Sequence, residues 1–143
     1  MRTILLVEDE PVVMKVLLLI LKAKGYLTLE HQSAETAVRC TEYIDLLIAD
    51  VSPPCSGIHV ASQLTARMTG LRIILTSGYP PQMWDERRGS DCSAIPSKVR
   101  ILRKPFMPAE LIGMVNELIG PATESSTAAA KARALIVEND IQQ

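Results

Sequence analysis

Five short apolar runs alternate along this chain with longer segments in which apolar residues recur at helical spacing. The runs predict buried β-strands at residues 3–7, 26–30, 45–49, 71–75 and 99–103. The segments between them predict helices at residues 11–24, 33–42, 58–68 and 108–119. Strands that alternate with helices favour right-handed βαβ units. We therefore expect an α/β fold, a doubly wound five-stranded parallel sheet with helices on both faces.

Local signals at the helix ends agree with this pattern. Pro11 suits the first turn of the first helix, an acid precedes it as N-cap, and Gly25 ends that helix. Ser33 is expected to cap the second helix, and Gly120 to close the last one. Residues 79–98 are rich in proline, glycine, serine and charge, and we expect one irregular helix there at 82–88.

The tail is expected to be separate from the folded unit. We expect a domain at residues 1–120 and a linker or tail at 121–143. Its last part, "RALIVENDIQQ", resembles "RTILLVEDEPV" near the start of the chain. The tail is therefore either the truncated start of a second domain of the same kind or a chance match.

Composition narrows the classes of function. The chain has 143 residues, of which 48% are hydrophobic and 3% aromatic, and its net charge is −1. A charge this small gives no support for binding nucleic acid or a membrane surface. No apolar run approaches the length of a membrane span, and no signal peptide is expected. Three widely spaced cysteines and two histidines argue against zinc or a disulfide framework, so we expect a cytoplasmic protein.

Polar side chains collect at the ends of the predicted strands. They are Glu8, Asp9, Asp50, Thr76, Ser77 and Lys104. The carboxyl ends of parallel strands share one edge of a sheet, so three carboxylates, a hydroxyl and a lysine should meet there. Crowded carboxylates favour a hard cation such as Mg²⁺, and one of them can act as a nucleophile toward phosphorus. The lysine and the hydroxyl would then stabilise charge on the phosphoryl oxygens.

The motifs "ILLVEDE", "LLIADVSPP", "ILTSGY" and "RKPF", in that order, resemble the receiver domains of two-component response regulators. The resemblance covers residues 2–119. It implies the flavodoxin-like strand order 2-1-3-4-5. It also implies phosphoryl transfer from a histidine kinase or a histidine phosphotransfer protein, with Mg²⁺ as the cofactor.

The same resemblance implies a role for each residue of the site. Asp50 would accept the phosphoryl group, Thr76 would be the switch hydroxyl, and Lys104 would pair with the phosphate. Mg²⁺ would be held by Glu8, Asp9, Asp50 and the backbone carbonyl of Ser52. The Lys104–Pro105 peptide is often cis in this family, which would aim the lysine inward.

Some positions depart from the family pattern. Gly57 stands seven residues after Asp50, where the family usually has a glycine eight residues on. Ile101 occupies the family's aromatic switch position. The usual coupling between the switch hydroxyl and an aromatic side chain is therefore absent, or it runs through another residue such as Tyr79. An alternative alignment makes Ser77, instead of Thr76, the switch residue.

The first helix is apolar on nearly every side. We expect its sheet-facing side to hold Val13, Val16, Leu17 and Ile20. That leaves Met14, Leu18 and Leu21 for contact with a partner protein or a second copy of the chain. In the family this helix commonly docks the phosphoryl donor. A neighbouring helix that covers the extra apolar surface is the alternative.

We therefore interpret the chain as a single-domain response regulator that is phosphorylated on Asp50. No DNA-binding module is expected after the domain, so its output would be contact with another protein, whose identity the sequence does not give. Its chemistry would be limited to self-phosphorylation and autodephosphorylation, without an external substrate. The main alternative is a binding module with a degenerate pocket that works without phosphorylation. A hydrolase with a DxD motif is disfavoured because Ser52 stands two residues after Asp50.

Overall fold

The five predicted strands form one parallel sheet. The computed structural model describes residues 1–52, 56–80 and 99–122. Its strands are β1 (Thr3–Val7), β2 (Leu27–His31), β3 (Leu46–Asp50), β4 (Arg72–Ser77) and β5 (Val99–Arg103). They lie in the order β2-β1-β3-β4-β5, and every adjacent pair is parallel. The predicted fold class and strand order are both confirmed.

Helices cover both faces of the sheet. The described helices are α1 (Pro11–Ala23), α2 (Ala34–Ala37), α3 (Gly57–Arg67) and α4 (Pro108–Ile119). Side chains of α1 and α4 share one core cluster with one side of the strands. Side chains of α2 and α3 form a second cluster on the other side. Both sides of β3 are therefore buried, which explains why this strand is apolar without alternation.

Several element ends differ from the sequence prediction by a few residues. β2 begins at Leu27, because Tyr26 turns its side chain into the core, where its hydroxyl hydrogen is shared between Gly120 O (2.7 Å) and Asn116 Oδ1 (3.0 Å). β4 runs two residues further than predicted, to Ser77. α2 ends at Ala37, five residues early, although Ser33 caps it as expected.

The orientation predicted for α1 is only partly right: Leu17 is buried as expected, and Val13 and Ile20 pack against the core cluster shared with α4. Met14 and Leu21, expected on a free face, are buried in the core at 4% and 0% exposure, and Leu18 packs against the same cluster. Val16, expected to face the sheet, is instead 40% exposed. The polar side chains within α1 are those of Lys15 and Lys22 alone, so the sequence pattern fixes the rotation of this helix about its axis only loosely.

The last described residues lie against the start of the sheet. Ala122 is buried, and its carbonyl accepts a hydrogen bond of 3.1 Å from the backbone N–H of Arg2. The expected helix at 82–88, the linker beyond residue 122 and the repeated motif at 133–143 lie outside the described residues. Within the described part of the chain, none of the helices is long and apolar enough to cross a membrane.

Candidate functional site

The strand ends bring four polar side chains to one face of the sheet. Glu8 follows β1, Asp50 ends β3 beside Thr76 of β4, and Lys104 follows β5. The residues two positions before them are Leu6, Ile48, Ile74 and Leu102, and all four pack in the core beneath α1 and α4. Side chains alternate along a strand, so these polar groups share that face at its carboxyl edge.

Three carboxylates meet at this edge. Glu8, Asp9 and Asp50 each offer an oxygen atom, and these atoms lie within 4.8 Å of one another. Glu8 and Asp50 are 1% and 3% exposed, whereas Asp9 is on the surface. Buried carboxylates are stable only if they are paired, hydrogen-bonded or bound to a metal, so this cluster has a strong attraction for cations.

Lys104 is the cation that the described structure places there. Its Nζ lies 3.0 Å from Glu8 Oε1 and 3.4 Å from Asp50 Oδ2. The peptide between Lys104 and Pro105 is cis, in agreement with the resemblance, and the Lys104 N–H donates to Ser77 O at 2.8 Å. The lysine is thus held by its backbone at the edge of β4 and by its side chain between two carboxylates.

The crowding shifts the pKa of both partners. Burial, together with the negative charge of Asp50, raises the pKa of Glu8 above its ordinary value of 4.5, although Lys104 and the Glu10 N–H oppose the shift. Burial works against the charge of Lys104, but the hydrogen bond that Lys104 donates to Glu8 and the negative charges of Asp50 and Glu8 raise the pKa of Lys104. The lysine therefore stays protonated at neutral pH.

Backbone groups fix the two buried carboxylates. The Ser52 N–H donates to Asp50 Oδ1 at 3.0 Å, and the Val51 N–H donates to Thr76 O at 3.0 Å. The Glu10 N–H donates to Glu8 Oε2 at 3.2 Å. This last contact, between the carboxylate of Glu8 and the N-cap residue of α1, was not predicted from the sequence. The run of three acids before Pro11 was the available signal.

Thr76 and Ser77 occupy different environments. Thr76 lies beside Asp50 in the strand register and is 1% exposed. Ser77 comes one residue later and therefore points to the opposite face of the sheet. Its hydroxyl donates to Tyr79 O at 2.7 Å and accepts from the Tyr79 N–H at 3.0 Å. These bonds form a local turn and occupy the Ser77 side chain away from the carboxylates.

The residues that depart from the family pattern lie near this edge. Ile101 and Tyr79 both pack, partly buried, against the core beneath α2 and α3. That is the face opposite Thr76. Residues 53–55 of the loop after Asp50 lie outside the described part of the chain, and α3 begins at Gly57.

Comparison with known families agrees with this geometry. Residues 4–116 match the family described as the response regulator receiver domain. The chain belongs to this family. A curated cyclic di-GMP phosphodiesterase from Thermotoga maritima is 30% identical over 78 residues, which are 54% of this chain. The matched residues span only 21% of that relative's length.

Solved structures of receiver domains are similar over most of the chain. The receiver domain of the sensor histidine kinase PA1611 from Pseudomonas aeruginosa, which has magnesium in its active-site cleft, is 28% identical with a TM-score of 0.70. The match covers 83% of this chain and 98% of that one. Response regulator TrrA from Thermotoga maritima, in complex with Mg²⁺ and BeF, is 27% identical with a TM-score of 0.65. That match covers 83% of this chain and 100% of TrrA.

The acidic cluster is suited to Mg²⁺. Its three carboxylates supply hard oxygen ligands, and two of them are buried close enough to repel each other. A divalent cation bound between them would offset that repulsion. When bound, the ion would supply positive charge for phosphoryl oxygens beside Asp50.

Proposed function

We propose that this receiver domain accepts a phosphoryl group on Asp50 from a phosphohistidine, and that the modified domain acts by contact with another protein. The supporting observation is the convergence of three carboxylates and Lys104 at one edge of the sheet. The chemistry is confined to phosphorylation and dephosphorylation of the domain itself. We also propose a cytoplasmic location, because three widely spaced cysteines fit a reducing compartment.

Asp50 is the proposed nucleophile. One of its carboxylate oxygens forms a bond to phosphorus, and the phosphorus–nitrogen bond of the phosphohistidine breaks. The imidazole nitrogen leaves with the electron pair and takes up a proton. The Ser52 N–H, bound to Asp50 Oδ1 at 3.0 Å, orients the carboxylate for this reaction.

Lys104 and Thr76 are the proposed partners of the transferred group. Lys104 already lies 3.4 Å from Asp50 Oδ2, so its charge offsets the charge on the phosphoryl oxygens. Thr76 is buried on the same face of the sheet as Asp50, which supports it over Ser77 as the switch hydroxyl. The proposed ligands of Mg²⁺ are the clustered carboxylates of Glu8, Asp9 and Asp50, together with the carbonyl of Ser52 that the family resemblance implies.

The exposed side of α1 is the proposed docking surface for the phosphohistidine protein. Val12, Val16 and Leu19 form an apolar stripe there, at 67%, 40% and 63% exposure. Lys15 and Lys22 are exposed on the same helix, and α1 itself contains no acid. A histidine kinase or phosphotransfer protein with an apolar helix stripe flanked by acids would complement this surface.

Phosphorylation by acetyl phosphate with Mg²⁺, measured as intact mass, tests the acceptor. We expect the wild type to gain the mass of one phosphoryl group, and we expect Asp50→Asn and EDTA each to abolish the gain. A wild type that stays unmodified, while a known receiver is labelled alongside it, would favour the alternative of a binding module that works without phosphorylation.

A second comparison tests the docking surface. Leu19→Glu should slow transfer from autophosphorylated histidine kinase fragments but leave labelling by acetyl phosphate unchanged. Tyr43→Glu is the matched control, because Tyr43 is 80% exposed at the opposite edge of the sheet. Equal transfer rates for the two variants would contradict the assignment of α1.

A further inference from the structure

Gly57, the first residue of α3, lies against the backbone of Asp50. A Cβ atom at this position would stand 2.6 Å from the carbonyl oxygen of Asp50 and 2.9 Å from its carbonyl carbon. It would also stand 3.1 Å from the carbonyl carbon of Ala49. These neighbours are main-chain atoms of a buried strand, so they cannot move aside as the end of a flexible side chain can.

The end of β3 is held on its other side by β4. The Val51 N–H donates to Thr76 O at 3.0 Å, and Asp50 pairs with Thr76 in the register of β3 and β4. The end of β3 is therefore held between β4 and the first turn of α3. A side chain at position 57 would have to displace either the strand end or the helix.

We propose that Gly57 is a positioning residue for phosphorylation, which sets the place of the Asp50 carboxylate by letting α3 rest on the Asp50 carbonyl. The inference rests on the proposed role of Asp50 as acceptor. Among the described residues, the Asp50 side chain contacts the Ser52 N–H at 3.0 Å and Lys104 Nζ at 3.4 Å. A shift of the Asp50 peptide changes both distances at once.

The residue before Gly57 shows how the chain enters this contact. Ser56 has φ 50°, in the left-handed region that non-glycine residues rarely adopt. Its carbonyl accepts the first helical hydrogen bond of α3, from the Val60 N–H at 3.1 Å. The unusual backbone turn at Ser56 therefore leads directly into the helix start that rests on Asp50.

The test is Gly57→Ala, with Gly78→Ala and Gly113→Ala as matched controls. A Cβ at Gly78, two residues after Thr76, or at Gly113, within α4, meets no atom within 4 Å. We expect all three variants to fold, as judged by circular dichroism. We expect Gly57→Ala to be phosphorylated by acetyl phosphate about 100-fold more slowly at saturating Mg²⁺, because a shift near 1 Å has an effect of this size. Both controls should stay within about 2-fold of the wild type, because their Cβ atoms displace nothing.

A direct readout of position separates this role from a general loss of stability. Amide NMR shifts of Val51 and Ser52 should change in Gly57→Ala and not in the controls. If Gly57→Ala is unfolded at room temperature, the comparison is repeated in the cold with trimethylamine oxide, which favours the compact state. A variant that remains unfolded there would overturn the inference, because Gly57 would then serve the fold as a whole.

Two further results would also overturn it. One is labelling of folded Gly57→Ala at the wild-type rate. The other is slow labelling with unchanged shifts at Val51 and Ser52. Failure of the proposed function looks different: the wild type itself would not be labelled, while the shifts at Val51 and Ser52 would still report whether Gly57 positions the end of β3.

Discussion

Replacement of Lys104 by methionine should destabilise the metal-free protein by about 3 kcal/mol, the lower end of the loss on breaking a buried ion pair. Lys104 Nζ lies 3.0 Å and 3.4 Å from two carboxylates that are almost completely buried. At an effective dielectric constant of about 20, each contact corresponds to a gross attraction of about 5 kcal/mol. The free energy of desolvating the lysine cancels much of the attraction from these two contacts. The Lys104 side chain keeps 21% of its exposure, so we take the lower end of the range.

Urea unfolding at pH 7, in EDTA and in Mg²⁺, measures the effect. Methionine preserves much of the apolar stem of the lysine but leaves Glu8 and Asp50 close together without a cation. Mg²⁺ at 100 times its dissociation constant should restore about 2.7 kcal/mol, provided that it binds only the folded state. The stabilisation by a given Mg²⁺ concentration should be larger in Lys104→Met than in the wild type, because the lysine no longer competes for the carboxylates.

Lys15→Met is the matched control, because Lys15 is an exposed lysine on α1. Its effect should stay within about 0.5 kcal/mol, as for most surface substitutions. The reasoning would be refuted if metal-free Lys104→Met lost no more stability than Lys15→Met. It would also be refuted if Mg²⁺ stabilised Lys104→Met less than the wild type.

Three further predictions concern Glu8, Ser56 and Tyr26. The raised pKa of Glu8 means that the folded state binds its proton more tightly than the unfolded state, so the contribution of Glu8 to metal-free stability should fall as pH rises from 4.5 through the folded-state pKa. Urea midpoints across this window should fall less steeply in Glu8→Gln than in the wild type; parallel curves would contradict the assignment. Ser56→Gly should stabilise the fold by about 1 kcal/mol, because it relieves a left-handed backbone conformation; an unchanged urea midpoint would argue against that strain. Tyr26→Phe should reduce the free energy of unfolding by about 1–2 kcal/mol, since it leaves Gly120 O and Asn116 Oδ1 without the buried hydroxyl donor. A melting temperature equal to that of the wild type would show that the hydroxyl contributes nothing.

The strands and their shared edge were predictable because they depend on local patterns. The apolar run of β5 and the Pro108 and Gly120 boundaries of α4 gave the bounds that the structure has. The alternation of strands with helices also predicted that Glu8 and Asp50 lie close together, because the ends of parallel strands share one edge of a sheet.

Features that depend on packing were not predictable. The apolar sequence of α1 did not reveal that Met14 and Leu21, and not Val16, face the core. The sequence named Thr76 with Ser77 as an alternative, but it could not show that Thr76 lies beside Asp50, because that depends on the register of β4 with β3. The contact between Gly57 and Asp50 depends on how closely α3 approaches β3, and a glycine after a loop does not reveal that distance.

The hydrogen bond between Arg2 and Ala122 places both ends of the described domain at the amino edge of the sheet. The carboxylates lie at the other edge, a strand length of about 16 Å away. A fluorescent protein or an affinity handle joined next to residue 2 or residue 122 would therefore sit behind the domain. Such fusions should leave the approach to Asp50 open, so that the proposed phosphorylation could be followed with the fused reporter in place.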